Sequence, residues 1–308
     1  MKAKDYYYIV IASRLRRSNL NIIIAGCISF LTLFACEERV NIHTEASPPR
    51  LVIYGYITTD TVQQAIRITR STGYFVTTKP EGVSHAAVSI SCEGETFAME
   101  ESPDEPGLYL TSSKVYGIPG KTYTFHAAID FNGAGNIESY EATSYLPFPA
   151  TLDSAAVTPS PILSNRLHLQ VLVWGNLPEE SSGNFSFHLF RNGVAMNDSL
   201  RRFRIVQDDY IATKTFAALP VFLLDQEDND REKLSLGDTV MVQVESLTQE
   251  YATFIENAQN ELRGPIPLFG GPPANVETNI RCLNANSKTG ISGFFTAYSK
   301  RKTVTVYE

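Results

Sequence analysis

The sequence predicts a mostly β protein built from two domains, and three observations support this fold class. From Arg50 onward, apolar side chains recur at every second position, as in "RLVIYGYITT", which is the period of a half-buried strand. Clusters of Gly, Pro, Asn and Asp separate such runs throughout the chain. Only one segment, near residues 246–262, has its apolar residues at steps of three or four, as a helix does. At 308 residues, the chain is long enough for two domains of ordinary size.

Residues 1–35 have the features of a secretory signal peptide. Five basic side chains and one acidic side chain precede an apolar run that extends from Ile22 to Ala35. That run is shorter than the roughly 20 residues that cross a bilayer as a helix. We therefore expect a cleaved leader and not a permanent membrane span.

The end of the apolar run predicts a lipid anchor. The stretch Leu33-Phe34-Ala35-Cys36 matches a bacterial lipobox, in which a small residue precedes the cysteine whose thiol receives a diacylglycerol. We expect lipidation of Cys36, followed by a tether over residues 36–49 that lacks apolar periodicity and ends in two prolines. The alternative is an ordinary signal peptide that is cut after Ala35 and leaves a free thiol. Palmitate labelling distinguishes the two, because only the first incorporates lipid.

The charge balance argues against a nucleic-acid partner. The chain has 26 basic and 33 acidic side chains, and cleavage before Cys36 leaves 21 and 32. Such an acidic excess repels phosphate backbones and anionic lipid surfaces. We therefore expect attachment to the membrane through the lipid anchor and no nucleic-acid partner.

Residues 50–148 predict the first domain. Seven or so short strands, from "LVIYGYIT" to "SYEATSYLP", alternate in polarity and argue for an antiparallel sandwich. The grouping "PGLYLTSSKVYGIPGKTYTFHAAI" resembles immunoglobulin-like and prealbumin-like modules of secreted proteins. The proline-containing stretch "LPFPATLDS", residues 146–154, predicts the domain boundary.

Residues 149–308 predict a second β-rich domain with one amphipathic helix. Its strands are "RLHLQVLVWG", "GNFSFHLFRNG", "SLRRFRIVQ" and "DTVMVQVESL", and two closing strands, "GFFTAYS" and "KTVTVY", are expected to pair. The helix is expected at 246–262, ended by Gly264-Pro265 and packed on the second sheet. Its apolar face comprises Leu247, Tyr251, Phe254, Ile255, Ala258 and Leu262.

Cys92 and Cys282 are the two cysteines that remain after cleavage and lipidation. Outside the cytoplasm they could form one long-range disulfide. Their separation in the sequence does not fix their distance in space, so two buried free thiols are the alternative.

The chain offers few residue patterns that carry chemistry. Its histidines are isolated from one another and occur at His43, His85, His126, His168 and His188. Only His168 and His188, on successive predicted strands, could meet as a pair. No nucleophile elbow or glycine-rich phosphate loop is present, so we expect no enzymatic activity and no cofactor.

The acidic stretch "DQEDNDRE", residues 225–232, contains a candidate calcium site. Hard cations prefer oxygen ligands, which this stretch supplies from Asp225, Glu227, Asn229 and Asp230. It lacks the turn glycine and the twelfth-position acid of an EF-hand loop. A solvated loop without a metal is therefore the alternative.

With these elements in order, the chain resembles a family of Bacteroidota lipoproteins known as domain of unknown function 4249. The resemblance rests on the order and spacing of the lipobox cysteine and the segments "LVIYGYIT", "GKTYTF", "YEATSYLPFPATLDS", "ESLTQEYATF" and "SGFFTAYS". It implies an outer-membrane lipoprotein, often encoded beside a TonB-dependent receptor, with no assigned activity. Glu37 and Glu38 resemble the acidic signal that sends such lipoproteins to the cell surface.

Four Asp-Ser/Thr-aliphatic triplets match the pattern on which these bacteria attach O-glycans after export. The candidate acceptors are Thr61, Ser154, Ser199 and Thr239. Ordinary turn chemistry at strand starts is the alternative explanation for such triplets.

The sequence leads to three functional hypotheses. The first is a non-enzymatic, surface-facing lipoprotein that acts as an accessory or binding component beside a TonB-dependent receptor. The second is a carbohydrate-active hydrolase on a β scaffold, which requires a pocket with paired carboxylates or clustered histidines. The third is an adhesion or envelope-scaffolding module.

Overall fold

The computed structural model describes residues 48–73, 76, 78–161, 166–179, 183–197, 199–207, 214–263 and 276–308. These residues belong to one compact unit. The predicted leader, Cys36 and nearly all of the tether lie outside the described residues, so their assignments stay predictions. Within the described ranges, no helix is long and apolar enough to cross a membrane.

The described residues form sixteen strands, one α-helix and one 3-10 turn, which confirms the mostly β prediction. The first seven strands are β1 (Leu51–Thr58), β2 (Ala65–Arg70), β3 (Ala87–Cys92), β4 (Glu95–Glu101), β5 (Leu108–Thr111), β6 (Thr122–Ile129) and β7 (Glu138–Tyr145). The next six are β8 (Ser154–Pro159), β9 (His168–Asn176), β10 (Asn184–Arg191), β11 (Val194–Ala195), β12 (Ile205–Gln207) and β13 (Thr215–Asp225). The last are β14 (Thr239–Leu247), β15 (Arg281–Cys282) and β16 (Ile291–Val306), with helix α1 at Gln249–Arg263 and the 3-10 turn at Leu200–Arg202.

Thirteen strands form one sheet and the other three form a second sheet. The large sheet has the order β11-β10-β14-β16-β1-β2-β5-β4-β3-β6-β7-β15, with β12 added beside β10. Its neighbours are antiparallel except β1 and β16, which run parallel with Leu51 opposite Ile291. The small sheet has the order β13-β9-β8.

Strand β16 is one continuous strand, whereas the sequence predicted two closing strands that pair with each other. Its first half pairs with β1 and its second half pairs with β14. The residues between the two predicted strands are lysine and arginine, which do not favour the positive φ angles of a two-residue hairpin. The chain therefore continues straight and joins the two regions of the large sheet.

The first core is formed by β1 to β7 with the first half of β16. The rings of Phe125 on β6 and Phe295 on β16 lie 5.8 Å apart, although five strands separate β6 from β16 in the sheet order. The Ala297 backbone N–H of β16 also donates to Ser144 Oγ of β7 at 2.9 Å. The sheet therefore folds back on itself and encloses this core between two faces, as in a sandwich.

The second core lies between the small sheet and strands β10 and β14. Val171 and Val173 of β9 share it with Val240, Val242 and Val244 of β14. Alternate residues of these strands point to the core, as the period-two pattern predicts.

Two strands of the small sheet were not predicted. Strand β8 is short and ends in Pro159, and β13 is a long apolar run interrupted by Pro220, where its register with β9 shifts. Proline lacks the backbone N–H that would donate to a neighbouring strand, and it is tolerated at such irregularities. Neither run was therefore predicted as a strand from the sequence. The predicted strand "SLRRFRIVQ" is also mostly wrong, since only Ile205–Gln207 is strand and Leu200–Arg202 forms the 3-10 turn.

The boundary predicted near residue 149 coincides with a change of core. Leu146 belongs to the first core and Ala150 belongs to the second. Strand β16 nevertheless pairs with strands of both regions. The division into domains 50–148 and 149–308 stays a prediction.

Candidate functional site

Helix α1 covers one face of the large sheet and positions the candidate site. Thr248 precedes the helix, and its Oγ1 accepts the Tyr251 backbone N–H at 3.2 Å, as an N-cap does. The helix buries Tyr251, Ala252 and Ile255. Leu262 of the predicted apolar face is exposed, so the buried stripe is confined to the first two turns.

An aromatic cluster lies between α1 and the sheet. The ring of Phe254 lies 4.8 Å from that of Phe294, and the ring of Tyr251 lies 5.5 Å from that of Phe294. Tyr298 of β16 stacks on Tyr251 at 6.3 Å. The Tyr54 hydroxyl of β1 lies 2.6 Å from the Tyr251 hydroxyl, so one donates to the other. Such offset and tilted ring pairs stabilise a fixed arrangement of the helix on the sheet.

A buried carboxylate lies next to this aromatic cluster. Glu245 of β14 is 6% exposed and accepts a hydrogen bond from Gln243 Nε2 at 2.8 Å. Its other oxygen lies 3.1 Å from His188 Nε2 of β10. The His188 ring also contacts the edge of Phe203, with centroids 4.9 Å apart. The carboxylate is therefore held by two side chains in a site where an unpaired charge would be costly.

Burial raises the pKa of the tyrosine hydroxyls around Glu245. The pKa values of Tyr251 and Tyr298 lie well above their usual 10.0, chiefly because the hydroxyls are buried. The nearby Glu245 carboxylate raises the pKa of Tyr298 further. These hydroxyls therefore stay protonated at neutral pH and serve as hydrogen-bonding groups.

A cleft opens beside the first two turns of α1. It has a volume of about 330 Å³, and the rings of Phe254 and Phe294 form its apolar lining. Its polar lining is Gln249, Glu250, Thr253, Asn257, Glu277, Thr278 and Asn279. Polar side chains therefore outnumber the two aromatic rings, so the cleft suits a polar ligand better than an apolar one.

One polar group of the cleft is fixed by the sheet. Asn279 Nδ2 donates to the Phe295 carbonyl at 2.8 Å, and Asn279 Oδ1 accepts the Phe295 N–H at 3.0 Å. Glu250 and Glu277 are both exposed and line the same cleft. The arrangement can therefore hold a polar ligand by hydrogen bonds and stack its apolar face on an aromatic ring.

Neither the buried carboxylate nor the cleft was predicted from the sequence. His168 and His188 were the one predicted histidine pair, but His168 lies in the small sheet and His188 lies in the large sheet beside Glu245. A signal was present, since "NFSFHLF" and "VMVQVESL" each carry polar residues at alternate positions. That pattern predicts a polar face on each strand, but not that the two faces become neighbours.

Cys92 and Cys282 do not form the candidate disulfide. Both are free and half-buried, on β3 and β15. Strands β6 and β7 lie between them in the sheet, so about 14 Å of strand spacing separates them. A disulfide requires Cα atoms within about 7 Å, so the free-thiol alternative describes this pair.

The side chains of the calcium candidate make other contacts in the described residues. Asp225 Oδ1 accepts the backbone N–H groups of Glu227 and Asp228 at 2.8 and 3.0 Å, and Asp230 pairs with Lys233 at 2.7 Å. No three His, Cys, Asp or Glu side chains of the described chain are gathered to hold a metal. Asp225 and Asp230 of the four predicted ligands, Asp225, Glu227, Asn229 and Asp230, therefore already have protein partners, and calcium binding stays a prediction.

All four candidate O-glycan acceptors are exposed. Thr61 lies at a bend, and Ser154 is the first residue of β8. Ser199 precedes the 3-10 turn, and Thr239 is the first residue of β14. Exposure permits modification without requiring it, so glycosylation stays a prediction.

The fold and the cleft define a mostly β protein in which a helix-covered sheet presents a cleft of about 330 Å³. The chain belongs to the family described as Domain of unknown function (DUF4249), whose sequence profile matches residues 37–303. No curated protein matches the chain.

Among solved structures, the chain is similar to two crystal structures of Parabacteroides merdae β-glucuronidase, one of them with glycerol in its active site. Both are 13% identical, and each match covers 64% of this chain and 23% of that chain. The TM-scores are 0.22 and 0.23. Structural similarity at this level does not support an inference about function.

Proposed function

We propose that this protein is a non-enzymatic outer-membrane lipoprotein, facing the cell exterior, that acts as a binding component beside a TonB-dependent nutrient receptor. The cleft beside α1 is the observation that carries the proposal, because its aromatic lining and polar rim suit a polar nutrient or a polar segment of a receptor. Membership of the family and the resemblance of the lipobox to lipid-anchor signals support the location.

The packing around the cleft supports a binding role. Phe294 is 4% exposed and is packed by Tyr251 and Phe254, while both polar ends of the Asn279 side chain are fixed by Phe295. Groups that are already ordered lose little conformational entropy when a ligand binds. The wall of the cleft at Phe294 and Asn279 is therefore fixed before any ligand binds.

The tether supports a location close to the membrane surface. Residues 36–49, fully extended, span at most about 50 Å. Pro48 and Pro49 are followed by Arg50 and then by β1, which lies beside β16 in the large sheet. An anchor at Cys36 would thus hold the β body within reach of a neighbouring barrel.

The test is co-purification of the full chain from its native host in a mild non-ionic detergent. A receptor barrel should accompany the wild type, and a Thr253→Arg variant should retain severalfold less of it because the new side chain enters the cleft. Glu256→Arg is the matched control, since Glu256 is exposed on the same helix but does not line the cleft. Isolation of the wild type as a lone monomer would contradict the proposal.

A hydrolase is the second candidate, and one observation favours it. Glu250 and Glu277 line the same cleft, and paired carboxylates are what glycoside hydrolysis requires. Glycoside cleavage by the wild type that is lost in both Glu250→Gln and Glu277→Gln would support this activity. No cleavage of α- and β-linked glycosides by the wild type would count against it.

A further inference from the structure

A second cavity lies beside the 3-10 turn and is distinct from the cleft. It has a volume of about 180 Å³ and is lined by three arginines within four positions, Arg201, Arg202 and Arg204. The chain as a whole has an acidic excess, so these residues reverse the sign of the charge locally. A cationic cavity on an acidic protein concentrates anions at that position.

Contacts within the protein use only part of the hydrogen-bonding capacity of these arginines. Arg201 donates to the Leu262 carbonyl and Arg202 donates to the Met196 carbonyl, each at 3.1 Å. A guanidinium has five N–H donors, so each of these arginines retains several. Across the described ranges, no carboxylate lies within ion-pair distance of the three guanidinium groups.

One carboxylate, that of Glu232, also lines the cavity. Its Oε2 accepts the Asp225 backbone N–H at 2.9 Å, which orients the carboxylate toward the adjacent turn. Three guanidinium groups and one carboxylate leave a net balance of two positive charges among the charged lining groups. That balance complements a doubly charged anion.

The rest of the lining strengthens such an interaction. Leu189 and Leu224 are buried, and Phe222 and Met196 add further apolar surface. Apolar walls strengthen charge-assisted hydrogen bonds by lowering the local dielectric constant, although Arg201 and Arg204 are exposed to solvent. The cavity is also smaller than the roughly 300 Å³ at which sites for whole small molecules begin.

We propose that this cavity binds a doubly charged tetrahedral oxyanion, phosphate or sulfate, either free or as the terminal group of a larger molecule. Arginine forks match the oxygens of such groups in pairs. The proposal is independent of the receptor-associated function, because it concerns a different cavity and its test requires no receptor.

The test is calorimetric titration of the full chain, in non-ionic detergent at low ionic strength, with inorganic phosphate and with sulfate. Affinity should fall roughly tenfold or more in Arg204→Gln and in Arg202→Gln, because each loses charge-assisted hydrogen bonds. Arg281→Gln is the control, since Arg281 is exposed and pairs with Glu141 away from this cavity. Arg204→Lys should bind more weakly than the wild type, because lysine keeps the positive charge but cannot form the paired hydrogen bonds of a guanidinium group.

Two further probes identify the source of the anion. Glycerol phosphate represents a lipid headgroup or other phosphate ester, and glucose 6-sulfate represents a sulfated sugar. Tighter binding of an ester than of the free anion assigns the site to a terminal group, and the reverse assigns it to a free anion. The inference is overturned if none of the four probes binds, or if a folded Arg204→Gln variant binds them as the wild type does.

Discussion

At the scale of single residues, Gly293 allows β1 and β16 to approach each other. It has a φ of +102°, and a Cβ at this position would lie 1.9 Å from the Ile53 carbonyl oxygen. Only glycine adopts such a backbone conformation readily and leaves this space free. The parallel pairing that joins the two regions of the sheet therefore depends on the absence of one side chain.

Gly293→Ala is expected to lower the free energy of unfolding by about 2–5 kcal/mol, from the combined cost of the left-handed conformation and of overpacking. Gly133→Ala is the matched control, because Gly133 also has a positive φ but its Cβ would meet nothing within 4 Å. Urea denaturation followed by fluorescence measures both. Equal losses in the two variants would show that the contact with Ile53 does not matter.

Glu105 makes stability depend on pH in the acid range. Hydrogen bonds from Arg67 and Lys79 lower the pKa of its carboxyl from 4.5 to about 2. Because the folded pKa is lowered, the contribution to stability is complete above about 4.5 and is lost as the pH falls toward about 2.

Glu105→Gln should therefore be less stable than the wild type near neutral pH, and the difference should shrink as the pH approaches about 2. Glu100→Gln is the control, since Glu100 is exposed and has no ion pair among the described residues. Unfolding titrations across this range measure the difference. A gap between wild type and Glu105→Gln that stays constant with pH would contradict the assignment.

At the scale of elements, helix α1 shows what local sequence pattern can and cannot predict. Its existence and its buried residues Tyr251 and Ile255 follow from spacing within one segment. The cleft also needs Glu277, Asn279 and Phe294, which reach it only after β16 has paired with β1 and β14. The same holds for His188 and Glu245, which meet through strand pairing across 57 positions. Periodicity carries no information on such long-range partners.

Ile255→Ala in α1 is expected to cost about 2–4 kcal/mol, because the side chain is 4% exposed and its removal leaves a cavity between helix and sheet. Glu256→Ala, on the exposed side of the same turn, should change stability by less than about 0.5 kcal/mol. Thermal unfolding of both variants checks the difference. A small effect of Ile255→Ala would mean that the helix is not held on the sheet by this contact.

At the scale of the whole molecule, β16 couples the two cores. Its first half contributes Phe295 and Ala297 to the first core, and its second half pairs with the strand that carries Val240 and Val242 of the second. The sequence predicted most strands on either side of residue 149, because alternation is local, but it missed β8 and β13. It could not predict that one strand serves both sides, since "TAYSKRKTV" offers no local sign of its two partners.

The coupling predicts that the β body unfolds in one cooperative transition. Loss of β16 would leave both β1 and β14 without a neighbouring strand. Unfolding of one region should therefore destabilise the other region as well. Tryptophan fluorescence at Trp174, on β9 in the second region, and differential calorimetry should give coincident midpoints. Two separated calorimetric transitions would instead support independent domains.

The proposed function requires that the cleft beside α1 faces a receptor at the cell surface. Site-specific photo-crosslinking in the native host tests it most directly, with a photoreactive residue at Thr253 on the cleft and another at the exposed Glu100 of β4. We expect a crosslinked TonB-dependent receptor from position 253 and a much weaker product from position 100. No receptor adduct from position 253, or equal adducts from both positions, would contradict it.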